Sequence, residues 1–322
     1  MNNNNNSPLI NSEKNTDLIE EIKKLKIDKN VSIFAHYYQN KEIQNIADYT
    51  GDSLALAQAA RKTKNTVILL SGVYFMGETA KILAPEKKVI VPDKDAGCSL
   101  ADSCPADKFK NFVSNNKDYK VITYVNTSAE IKAISDIVVT SSNAVDIVNS
   151  FPKDEKIIFA PDKNLGNYIN GLTGRNMLLW DGSCHVHEKF SVEKIIELKE
   201  MNPDAEVLAH PECKKTVLLM ADYIGSTASM LSYSIKSASK KFIVATESGI
   251  LHEMQKKSPA KIFIPAPPID STCGCNDCEY MKLNTLEKIY FSLRYEKHEI
   301  QINEDIRLRA VIPIEKMLLK SK

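Results

Sequence analysis

The chain has 322 residues, with 42 lysines and arginines against 41 aspartates and glutamates, a formal net charge of +1 and a 43% hydrophobic content. That length allows one large domain or two to three small ones, and the near-balanced charge excludes the clustered basic excess of a nucleic-acid binder. No apolar run reaches the roughly 18–20 residues that span a bilayer, and the opening "MNNNNNSPLINSEKN" lacks the charged-then-apolar order of a signal peptide. A cytoplasmic protein is expected, in which free cysteines serve metals or catalysis if they serve anything.

In chain order, residues 1–15 read as an Asn-rich, disordered lead. Short apolar runs follow: "VSIFAHYYQ", "VILLSG", "KVIVPD", "KVITYVN", "DIVVTSSN", "KIIFAPD", "MLLWDG", "EVLAHPE", "KFIVATESG" and "KIFIPAP". Segments with helical character separate them, such as "SLALAQAARKTK" and "SVEKIIELKEM". Continuous rather than alternating apolarity suits parallel strands buried on both faces, so the class is α/β.

The chain also repeats itself. His36 is followed by Tyr38, Asp48 and Ser53; Tyr124 by Asn126, Asp136 and Ser141; and His210 by Glu212, Asp222 and Thr227, at the same offsets. The first and third copies even share letters, "ADYTGDS" beside "ADYIGST". Three homologous units follow, expected at 16–103, 104–190 and 191–284, with 285–322 packing back on the first. In each unit the polar pair falls at the end of the first strand, where open α/β sheets bind ligands. Hydroxyls in "GDS", "TSSN" and "GST" stand before helix-like runs as N-caps, and such helix starts can hold anions.

A cysteine follows the last strand of each unit: Cys98 in "AGCSLAD", Cys184 in "DGSCHVHE" and Cys278 in "CNDCEYMK". Around a threefold axis these three could converge on one metal. Three thiolates suit a [4Fe–4S] cluster with one open iron, whereas clusters held for electron transfer normally have four cysteines. Zinc competes through "CNDC" and "CHVH", although structural zinc sites usually pair two knuckles and only one C-x-x-C is present. Purely structural or redox cysteines are the third reading. Cys104 and Cys213 read as small buried residues, and His252 and His298 as solvated ones. No dinucleotide or P-loop glycine motif appears.

With these residues in hand, the chain from about residue 31 to residue 290 closely resembles bacterial quinolinate synthase. The motifs are "AHYYQ", "GDS", "AGCSLAD", "TYVNTSAEIKA", "TSSNA", "PDKNLG", "WDGSCHVHE", "HPEC", "GSTA", "ATESG" and "CEYMKLNTLEK". The resemblance implies three small three-layer α/β/α domains around a pseudo-threefold axis, with the active site and a [4Fe–4S] cluster at the centre. It implies condensation of iminosuccinate (iminoaspartate) with dihydroxyacetone phosphate to quinolinate, phosphate and water, in de novo NAD biosynthesis. The cluster ligands would be Cys98, Cys184 and Cys278. Substrate contacts would fall to His36, Ser53, Tyr124, Val125, Asn126, Ser141, His187, His210, Pro211, Glu212 and Thr227, with Tyr38 and Glu212 as acid–base residues. Transient contact with L-aspartate oxidase or another iminosuccinate-producing enzyme is also implied, and neither nucleic acid nor membrane. Some relatives carry C-x-x-C-x-x-C ending at the ligand cysteine; here position 272 is Thr and cysteines stand at 273, 275 and 278, so a redox switch of that spacing is not expected, and Cys275 reads as a spectator, with oxidative pairing to a neighbour as the alternative.

Overall fold

The structure, a computed structural model, describes residues 8–269 and 276–321. Its strands are β1 (Val31–His36), β2 (Tyr49–Gly51), β3 (Val67–Ser71), β4 (Lys88–Ile90), β5 (Lys120–Tyr124), β6 (Ile137–Val139), β7 (Ile157–Ala160), β8 (Leu178–Leu179), β9 (Glu206–Ala209), β10 (Tyr223–Ile224), β11 (Lys241–Ala245) and β12 (Ile262–Pro265). They form three separate four-stranded sheets in the orders β2-β1-β3-β4, β6-β5-β7-β8 and β10-β9-β11-β12. Every pairing within these sheets is parallel. The first strand of each unit is therefore central, and its sequence shows why: "VSIFAH" is buried at every position, as an inner strand covered on both faces requires.

The repeat is physical as well as textual. Asp48 Oδ2 accepts a hydrogen bond from Ile33 N at 2.8 Å, Asp136 Oδ2 from Val121 N at 2.8 Å, and Asp222 Oδ2 from Val207 N at 2.7 Å. Each aspartate also donates its own N–H to the carbonyl of that same strand residue. One carboxylate per unit thus clips the start of the second strand to the first.

The hydroxyl positions need a correction. Ser226 of "GST" caps the helix Thr227–Lys236 as expected, accepting from Ser229 N, whereas Ser53 is the first residue of the helix Ser53–Lys62, which Asp52 caps by accepting from Ala55 N. In the second unit the helix Ala144–Asn149 starts three residues after Ser141, behind Asn143. An aspartate one position earlier satisfies the free first-turn N–H groups equally well, so the first-unit cap shifts while the Ser53 hydroxyl keeps its place.

The first and second units share one hydrophobic core, in which Phe34, Ile68 and Val89 meet Ile122, Val138 and Phe159. The third unit is built around its own clusters, including Val207, Ile243 and Val217 on one face and Phe242, Met230 and Met254 on the other. The helix Pro8–Asp28 begins inside the segment expected to be disordered, with a proline in its first turn, where the missing N–H costs nothing. It packs against the helix Leu286–Tyr295. The last helix, Glu304–Lys320, lies mainly on β6 and the helix Ala129–Lys132 of the second unit and reaches the helix Tyr74–Leu83 of the first. The tail therefore closes the seam between two units rather than resting on the first alone. No helix among the described residues is long and apolar enough to cross a membrane.

Candidate active site

The carboxyl ends of the sheets face a common cavity of about 70 Å³. His36 ends β1, Tyr124 ends β5, and His210 follows β9 directly, so the strand-end pairs arrive from three directions. Of the residues expected there, His36, Tyr38, Ser53, Tyr124, Asn126, Ser141, His187, His210, Glu212, Thr227 and all three of Cys98, Cys184 and Cys278 line it. Val125 is buried and lines a small neighbouring space that shares Ser53 with the cavity, and Pro211 lines another that shares Ser141. Cys273 and Cys275 lie outside the described residues.

Two imidazoles are set identically. His36 Nδ1 accepts from Tyr38 N at 3.2 Å, and His210 Nδ1 accepts from Glu212 N at 3.3 Å. In the neutral ring this places the remaining proton on Nε2. Burial, with the neighbouring imidazole adding to it, lowers His36 to about 3; burial likewise takes His210 to about 3, against the pull of Glu212. Both are thus neutral N–H donors, able to hydrogen-bond an anion without adding positive charge to the site. His210 Nε2 lies 3.3 Å from Ser141 Oγ.

Glu212 sits at the middle of the polar wall. Its Oε1 accepts from Tyr124 Oη at 2.6 Å, and its Oε2 lies 3.0 Å from His187 Nδ1. That approach is close but off the line of a hydrogen bond, so His187 Nδ1 is left without a partner. Burial pushes Glu212 up, yet His187, His210 and the Tyr124 hydroxyl outweigh it and hold the carboxyl at about 2. Tyr38 Oη lies 2.9 Å from Thr227 Oγ1 and 2.7 Å from Thr246 Oγ1. Burial, reinforced by Glu212, raises the Tyr38 phenol well above its ordinary value.

Each cavity cysteine occupies the same local position. Cys98, Cys184 and Cys278 precede the four-residue helices Ser99–Asp102, His185–Glu188 and Glu279–Lys282 as N-caps. No first-turn N–H makes a full capping hydrogen bond to sulfur, but those groups face it and favour thiolate over thiol. Burial works the other way and dominates, pushing Cys98 up to about 12, Cys278 up to about 11, and Cys184 well above its ordinary value. Half-buried thiols from three chain segments facing one space, with Cys98 and Cys184 pushed up further by the thiols beside them, are a donor set that needs a cation to ionise. Cys184, His187 and Glu212 also bring their donor atoms within 4.8 Å of one another, a group able to hold a metal ion.

Several wall residues were not foreseen. Asp52 and Glu247 also line the cavity, and Thr246 stands behind Tyr38 and His187. Burial raises Glu247 to about 7, even with Lys282 Nζ at 2.8 Å. Thr246 and Glu247 follow β11 directly, so the strand-end rule applied to every strand, not only the first, would have found them. No lysine or arginine lines the cavity among the described residues. Lys132, quoted in "TSAEIKA", is fully buried behind it, donating to Thr127 O and lying 5.3 Å from the centre of the Phe75 ring.

Three α/β units with parallel sheets converging on one thiol- and imidazole-lined cavity define a multidomain α/β enzyme with a central site. A family model for quinolinate synthetase A protein matches residues 20–319. A quinolinate synthase of Chloroherpeton thalassium is 58% identical over 306 residues, 95% of each chain. Those of Microcystis aeruginosa and Thermosynechococcus vestitus are 58% and 56% identical over 302 residues, covering 94% of this chain and 94% and 95% of theirs. The chain belongs to the quinolinate synthetase A family.

Proposed function

We propose that the chain is a quinolinate synthase that condenses iminosuccinate with dihydroxyacetone phosphate to quinolinate, phosphate and water, for de novo NAD biosynthesis. The observation that carries this reading is the convergence on one cavity of a strand-end polar pair and a cysteine from each of three units. The domains are taken as 16–103, 104–190 and 191–284, with 285–322 as the closing tail. An oxidase that makes iminosuccinate from aspartate is the fitting supplier of one substrate.

Cys98, Cys184 and Cys278 would hold a [4Fe–4S] cluster. Cys184 with His187 and Glu212 is a second donor set, but it draws on only one of the three equivalent cysteines. When bound, a cluster with three protein ligands supplies a Lewis-acidic iron for substrate oxygen or nitrogen. The chain's own residues do the rest. His36 and His210 donate Nε2–H, and Ser53, Ser141, Thr227 and Asn126 donate or accept at carboxylate and phosphate oxygens, so that both anions are held in register. Glu212, ionised at rest, removes substrate protons, while Tyr38, held protonated by burial, delivers them. Closure by three units keeps water from the reactive imine.

The test is anaerobic iron and sulfide analysis coupled to a quinolinate assay with the two substrates. Bound iron and sulfide with quinolinate formation are expected, as is loss of both after Cys98→Ser, Cys184→Ser or Cys278→Ser but not Cys213→Ser. A colourless, zinc-loaded and inactive protein would overturn the proposal.

A further inference from the structure

The short helix that Cys278 caps reaches across to the first unit. Lys282, its last residue, donates from Nζ to the main-chain oxygen of Tyr38 at 2.8 Å, and the same ammonium lies 2.8 Å from Glu247 Oε1. That carboxylate oxygen also accepts from Cys278 N at 3.3 Å, while Glu247 Oε2 accepts from Gly249 N at 2.7 Å. Lys282 N donates to Cys278 O at 3.1 Å, so the cysteine and the lysine are joined both along the helix and through Glu247. Glu247 is fully buried, and among the described residues Lys282 is the one cation within ion-pair distance of it. Burying a carboxylate is costly unless it is paired, which holds the lysine to this position.

The main chain at Tyr38 meets the third unit on a second side. A Cβ added at Gly249 would come within 2.7 Å of Tyr38 Cα and C, so only glycine allows this approach. Gln44 Nε2 bridges the two segments, lying 2.9 Å from Gly249 O, 2.9 Å from Tyr37 O and 2.7 Å from Gln39 O. The turn carrying Tyr38 thus rests on the Glu247–Gly249 segment and is held from the other side by Lys282.

We propose that Glu247 and Lys282 are positioning residues that tie Cys278 to the main chain of Tyr38, so that fixing the cysteine on its metal centre sets the turn that presents the acid. The inference rests on the ligand and acid roles proposed above and deepens them. One oxygen, Glu247 Oε1, receives both the Cys278 N–H and the Lys282 ammonium. A shift of the cysteine as it takes up a cation therefore moves that oxygen and the lysine together. Groups standing behind metal ligands orient them, and the second contact of the lysine carries that orientation into another unit. Placement of the acid matters because an error of about 1 Å can cost about 10²-fold in rate. Lys282 does this from outside the cavity lining, so it adds no positive group to the wall that meets the substrates.

Amide hydrogen exchange of residues 36–46, read by mass spectrometry, tests the tie in iron-stripped protein and in protein reconstituted anaerobically with iron and sulfide. In wild type, loading should slow exchange of this segment by about 10-fold or more. Lys282→Met keeps the stem and removes the ammonium; it should bind iron as wild type does, yet show less than about 2-fold slowing. Its single-turnover rate should fall by about 10-fold or more, with KM for both substrates within about 2-fold of wild type. The double variant Glu247→Gln, Lys282→Met, which leaves no unpaired buried charge, should behave in the same way. Lys282→Arg, which keeps a cation, should recover to within about 3-fold in rate and regain the slowing. A wild-type segment indifferent to iron, or a Lys282→Met segment that slows as wild type does, overturns the tie. Loaded wild-type protein that makes no quinolinate overturns the proposed activity instead, and the exchange measurement still decides the tie.

Discussion

Glu212 and Tyr38 acquire opposite resting states from their immediate neighbours. Two imidazoles and the Tyr124 hydroxyl hold Glu212 ionised against burial, whereas Tyr38 has only the Thr227 and Thr246 hydroxyls and stays protonated. Separated proton affinities of this kind are what assign base and acid within one site. Tyr38→Phe and Glu212→Gln should therefore keep bound iron yet lose about 10²-fold or more in turnover, read as iron content and rate on the same samples. Full activity in either variant would remove the role given to that residue. At this scale the sequence was informative wherever residues recur. His36, Tyr124 and His210, with their partners, were found because three copies point to one centre. Thr246, Glu247 and Lys132 were not, because they stand outside the repeated offsets, although the strand-end rule extended to β11 reaches the first two. Lys132 in particular is fully buried, donating to Thr127 O with its ammonium over the Phe75 ring, a burial and a ring contact that both depend on the tertiary fold.

At the scale of elements, the aspartate clips explain why the repeat preserves a carboxylate far from any chemistry. A side-chain carboxylate that accepts from a strand N–H occupies a donor that would otherwise lie unpaired beside the short second strand. Asp136 gives the cleanest test, since among the described residues no lysine or arginine forms an ion pair with it, unlike Asp48 with Lys26 or Asp222 with Lys199. Asp136→Ala should lower stability by about 1–3 kcal/mol. Asp136→Asn, which keeps an oxygen acceptor, should lose less. Urea unfolding with an unchanged slope would show it, and equal losses in both variants would count against the clip. The strands were legible from continuous apolar runs, and so was their parallel class. The cap of the first unit was placed one residue late, because Ser is a good cap by type and Asp52 stands next to it, while Ser226 of "GST" caps the third-unit helix as expected. Propensity cannot choose between adjacent capping residues; backbone geometry does.

For the whole molecule, three units were readable from periodicity, but the way the tail closes them was not, since seam packing depends on contacts between segments far apart in sequence. Glu296 shows how that closure is tied. It ends the helix Leu286–Tyr295 in a left-handed conformation at φ 51°. Its carboxylate accepts from Lys29 Nζ at 2.7 Å, just past the helix Pro8–Asp28, and from Lys88 Nζ on β4. These two lysines hold its carboxyl at about 2, below the ordinary value of 4.5. A carboxylate depressed in the folded state stabilises it fully above the unfolded value and ceases to as pH falls through the folded one. The group is 41% exposed, so water and salt screen the pair, and the contribution is at most about 1 kcal/mol. Glu296→Gln should therefore be less stable than wild type by up to that amount above pH 4.5. The gap should shrink steadily towards pH 2 and be smaller in about 1 M salt than in 0.1 M. Urea midpoints of both proteins across that range would measure it, and a gap that stays constant or widens towards acid would show that the lysines do not hold the tail through this carboxylate.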